Sequence, residues 1–121
     1  MRILCATSLL LVAAGCAGLD MRAINQECQR KYGVALPEGA ILAKPVVPMR
    51  IAPQRRENYA YACVVVTVNE MGVVTQARLA ETDSPAFGEY FLNLVKATKF
   101  HPTIIGGKAA THTSVISAGY Q

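Results

Sequence analysis

The run Tyr61-Ala-Cys-Val-Val-Val-Thr-Val68 narrows the folds open to this chain more than any other stretch. Its last five residues are all β-branched, which crowds a helix and suits a pleated strand. Asn69-Glu-Met-Gly72 then supplies a tight turn, with Gly72 available for positive φ. Val73 to Glu81 reads as the return strand, with Val73, Thr75, Ala77 and Leu79 on one face and Gln76 and Arg78 on the other. A lone hairpin is marginal in water, so further elements must cover its apolar face.

The sequence supplies them. Ser84 before Pro85 is a helix start, the hydroxyl capping and the ring at the first helical position. Phe87, Tyr90, Phe91, Leu94, Val95 and Thr98 follow as an apolar stripe. Lys96 and Lys99 favour the C-terminal end of the dipole, and Pro102 is expected to stop the helix. Gly106-Gly107 marks a turn, and Thr111 to Gly119 a last strand. Upstream, Asp20 caps a helix running to about Tyr32 with Gly33 as its stop; Met21, Ile24, Cys28 and Tyr32 share one face. Residues 33–53 carry Pro37, Pro45, Pro48 and Pro53, so an extended segment crossing the surface is expected. The expected fold is α+β: a small three-stranded antiparallel sheet packed against helices, preceded by an N-terminal helix.

The first fifteen residues stand apart. Met1-Arg2 is a short positive start and Ile3 to Ala14 a short apolar run, the pattern of a signal peptide over residues 1–15. No apolar run reaches the 18 or more residues that a membrane-spanning helix needs. Ala13-Ala14-Gly15-Cys16 resembles the bacterial lipobox. That resemblance implies cleavage before Cys16, diacylglycerol on its thiol and an acylated amine, a lasting hold on a membrane at roughly 0.8 kcal/mol per buried CH2. Ala17 in the next position resembles the sorting rule for the outer membrane, facing the periplasm. The alternative is ordinary cleavage near Ala17 or Gly18, which discards Cys16.

Export would leave Cys28 and Cys63 in an oxidising compartment, where a disulfide is the default and two separately buried thiols the alternative. No CxxC motif is present, so disulfide exchange is not expected. His101 and His112 are isolated from any cysteine spacing that would hold zinc, so no metal or other cofactor is expected. Lys+Arg number 12 against 8 Asp+Glu, a mild excess without the dense basic tract of a nucleic-acid binder. At 52% hydrophobic and 17% charged, the chain is not of the disordered class. His112 and Thr113 alternate across a strand, and Ser114, Asp83 and Glu89 have no catalytic spacing, so no enzyme is expected.

Val65-Val-Thr-Val-Asn-Glu-Met-Gly-Val-Val74 resembles the strand–turn–strand of the TonB C-terminal domain family. Lys99-Phe100-His101-Pro102 with Gly107-Lys108-Ala109, and Pro48-Met-Arg-Ile-Ala-Pro53 upstream, are similar to two further pieces of its pattern. Gly72, Phe100 and Pro102 are the motif positions; Thr98 stands where the family carries tryptophan. The match covers residues 45–121, leaving 16–44 as an N-terminal helix and extended segment. The resemblance implies that the last strand, Thr111, His112, Thr113, Ser114, Val115, Ile116 and Ser117, offers its edge to an extended peptide of an outer-membrane transporter or other envelope protein. The alternatives are a solvated edge, an edge covered by the 33–53 segment, and a structural envelope lipoprotein with no peptide ligand. A swapped-strand homodimer is also open to such a sheet.

Overall fold

The computed structural model describes residues 20–51 and 60–120. The signal segment, Cys16 and the stretch around Arg55 lie outside the described residues. Among the described residues, two helices and an antiparallel three-stranded sheet form the body, an α+β architecture.

Strand β2 (Ala60–Val68) is central, flanked by β3 (Val74–Thr82) and β7 (His112–Tyr120), in the order β3-β2-β7. Four short strands complete the set among the described residues: β1 (Lys44–Pro45) pairs β4 (Phe100–His101), and β5 (Thr103–Ile105) pairs β6 (Lys108–Ala110) around Gly106-Gly107. Both turn glycines have positive φ.

Alternation along β2 divides the interior in two. Ala60, Ala62, Val64, Val66 and Val68 are buried beneath helix α2 (Pro85–Lys96), against Phe87, Phe91, Val95 and Phe100. The Phe87 and Phe91 rings stack with planes 3° apart. Burying each phenylalanine stabilises the fold by roughly 1.5–3 kcal/mol. On the opposite face, helix α1 (Met21–Tyr32) places Cys28 over Cys63 and Val115. Cys28 and Cys63 form a disulfide with Cα atoms 5.8 Å apart. Asp20 caps α1 by accepting from the N–H groups of Arg22 and Ala23, as the sequence predicts.

Three local features differ from the sequence reading. Strand β3 is irregular at both ends: Val68 pairs Val74 while Thr67 pairs Gln76, so Thr75 is extra, and Val74 joins the core in place of Val73 and Thr75. At the other end Val64 pairs Leu79 and Cys63 pairs Glu81, so Ala80 is extra. An added residue flips the face of all that follow. Helix α2 ends at Lys96, well before Pro102; the Ala97 and Thr98 N–H groups and the Thr98 hydroxyl satisfy its last carbonyls. Pro102 instead separates β4 from β5. The described part of the 33–53 segment, up to residue 51, does more than cross the surface: Ile41 exchanges backbone bonds with Ile104, Lys44 pairs His101, and Val46 N–H donates to the Lys99 carbonyl.

Candidate peptide-binding edge

Gly72 and Phe100, far apart in sequence, touch. Gly72 has φ 82°, and the Phe100 N–H donates to its carbonyl at 2.9 Å. A side chain at Gly72 would run into the Phe100 carbonyl oxygen. Asn69 shapes the turn by accepting from the Met71 and Val73 N–H groups. This contact holds the buried Phe100 ring at the head of the 99–105 stretch, which in turn anchors residues 41–46. The effect is a wall standing beside β7.

A groove of about 520 Å³ runs along that strand at Val115, Ile116 and Ser117. One wall is α1, presenting Arg22, Asn25 and Gln29; the other is apolar, formed by Leu42, Met49 and Phe100. Among the described residues, β7 pairs only with β2, so its outer side is a sheet edge, and Lys44–Pro45 pair with β4 instead.

The edge is not bare. Gln29 donates its side-chain amide to the Val115 carbonyl at 3.2 Å, and the Ser117 hydroxyl meets Asn25 at 2.9 Å. The Val115 side chain is buried beneath α1, and Ile116 packs partly into the main core. Thr111 is exposed just before the strand; Ser114 sits opposite Val66. Thr113 shares a hydroxyl–hydroxyl bond of 2.7 Å with Thr67 across the sheet. His112 lies opposite Val68, and its Nε2 is buried without a hydrogen-bond partner. Sequence reasoning missed Asn25 and Gln29. Their signal was a polar pair at i, i+4 beside the inward-facing Cys28.

It also missed Glu81. The extra residue at Ala80 turns this carboxylate to the Cys63 face, where it accepts from Tyr61 at 2.5 Å, Tyr32 at 2.9 Å and Lys31 at 3.0 Å. These donors, Tyr61 foremost, hold the Glu81 carboxyl down at about 2. The same bond pushes the Tyr61 hydroxyl up to about 12. The group ties α1 to β2 and β3 beside the disulfide. A folded carboxylate favoured this way contributes stability that is whole above about pH 5 and lost as pH falls toward 2. With the side chain 27% exposed, screening leaves about 1–2 kcal/mol. Urea unfolding of the parent and Glu81→Gln should therefore differ by that amount at pH 6, and the gap should close near pH 2. A gap independent of pH would refute the assignment.

Among the described residues, no cluster of three His, Cys, Asp or Glu side chains is placed to hold a metal, and no helix is long and apolar enough to cross a membrane. No protein-family model matches the chain, and no curated protein matches it.

Proposed function

We propose that this chain is an interaction module of the TonB C-terminal type, tethered through a lipid on Cys16 to the outer membrane of a bacterial envelope and facing the periplasm. It captures an extended peptide of an outer-membrane transporter or another envelope protein by strand addition along β7, and serves transport as an accessory without catalysing a reaction. The observation that carries this reading is the groove beside Val115, Ile116 and Ser117 on a sheet edge that no further strand joins among the described residues. Backbone bonds to the edge supply affinity, and alternate side chains of the visitor meet different walls. One set faces Leu42, Met49 and Phe100, the other Arg22, Asn25 and Gln29. The ligand this selects alternates apolar residues with polar or acidic ones.

Gln29 then acts as a placeholder on the Val115 carbonyl that the visitor displaces. The probe is an acetylated octapeptide alternating valine with glutamate and threonine, titrated by NMR. Binding should shift and protect amides between His112 and Ser117. Gln29→Ala should tighten binding about fivefold, because a bond worth about 1 kcal/mol no longer competes. Met49→Glu should weaken it. Shifts that bypass β7, or an affinity indifferent to Gln29, would sink the proposal.

A second reading, a structural envelope lipoprotein with no peptide ligand, draws on the contacts that Asn25 and Gln29 already make with β7. It requires that neither the parent chain nor Gln29→Ala binds the peptide.

A further inference from the structure

The turn between β2 and β3 and the stretch 44–50 are pinned to the same two residues, Lys99 and Phe100. Val46 N–H donates to the Lys99 carbonyl at 2.9 Å, and Phe100 N–H to the Gly72 carbonyl at 2.9 Å. Four exposed apolar side chains therefore gather at this end of the molecule: Val46, Val47, Met71 and Val73. Val47 is 70% and Met71 75% exposed. Single exposed apolar residues are ordinary, but a cluster on two converging segments is not. The charges among them are nearly all of one sign. Lys44, Arg50 and Lys99 lie on the converging segments, and Lys96 ends α2 close by; Glu70 is the acid in the turn. Glu81 and Asp83 lie at the opposite end of β2, bonded to Tyr61.

We propose that this end is a membrane-contact surface for bilayers carrying anionic headgroups. Val46, Val47 and Met71 enter the headgroup–acyl boundary, while Lys44, Arg50 and Lys99 meet lipid phosphates. The lysine stems extend the apolar contact and keep their charges at the interface.

The test uses the chain from residue 16 onward with Cys16→Ser, which retains every described residue and carries no acyl group. Sedimentation with vesicles of phosphatidylcholine alone is compared with vesicles containing phosphatidylglycerol. Binding is expected only to the anionic vesicles, and it should weaken with salt. Lys99→Glu should reduce it at least about fivefold, and the double variant Val47→Ser, Met71→Ser should also reduce it. Arg78→Glu changes net charge equally from an exposed position on β3 and should leave binding near the parent value. Equal losses in Lys99→Glu and Arg78→Glu would overturn the proposal, as would no binding to anionic vesicles at low salt. Retained oxidation of Cys28 and Cys63 and unchanged circular dichroism keep misfolding out of the comparison. Octapeptide binding is scored separately, so the strand-addition reading and this one fail independently.

Discussion

Replacing Cys28 and Cys63 together by serine should lower the unfolding free energy by about 4 kcal/mol and the melting temperature by about 15–25 °C. The bridge spans a sequence separation of 35 residues, and most of this loss is the freedom returned to the unfolded chain. The damage should also be uneven. Helix α1 has 12 residues, too few to be stable alone, and Cys28 is its one buried side chain. Beyond the half-buried packing of Ile24 and Tyr32 around Cys63 and Val115, its remaining ties among the described residues are Gln29 to Val115, Asn25 to Ser117, and the Lys31 and Tyr32 bonds to Glu81. These are half-exposed polar contacts, each worth about 1 kcal/mol or less. Native-state amide exchange should therefore show residues 21–32 opening well before β2 in the serine variant. Because α1 is one wall of the β7 groove, octapeptide binding should change with it. Amides of α1 that remain as protected as those of β2 would show that the helix is held by packing rather than by the covalent bond.

The elements that could be read directly were those whose signal is local. Asp20 and Ser84 cap the helices they precede, and Phe87, Phe91 and Val95 recur at a helical period. The β-branched run became the central strand, bordered by a turn closed at Gly72. What escaped depends on partners distant in the chain. Nothing in Val73 to Glu81 reveals that Thr75 and Ala80 are extra residues, because a bulge is defined only against the opposing strand. The inward Val74 and the three-donor site at Glu81 follow from those two positions. The proline at 45 suggested extended backbone, which β1 shows, yet not that Lys44 and Pro45 would pair with residues 100–101. The edge strand itself was legible, but its surroundings were not. Asn25 and Gln29 approach Ser117 and Val115 across 92 and 86 residues, respectively, and the register of such a contact leaves no periodicity.

Gly72 offers the sharpest separation of local from long-range effects. Gly72→Ala should cost about 3–5 kcal/mol, the sum of three terms. Left-handed backbone with a Cβ costs about 1–2 kcal/mol. The added carbon falls on the Phe100 carbonyl, so the turn must draw back and lose the bond from the Phe100 N–H, about 1 kcal/mol. The buried Phe100 ring then loses part of its packing, itself worth roughly 1.5–3 kcal/mol. Gly106 is the control. It also has positive φ, at 61°, but a Cβ there meets open space, so Gly106→Ala should cost only the backbone term of about 1–2 kcal/mol. Parallel urea titrations measure both. Equal losses would mean that the turn's docking onto Phe100 contributes nothing beyond backbone geometry. A larger loss at Gly72 ties that glycine to the apolar wall of the groove, since Phe100 is part of it. The same substitution should then loosen residues 41–46, which hang from the 99–104 backbone, and weaken octapeptide capture in any Gly72→Ala chain that remains folded.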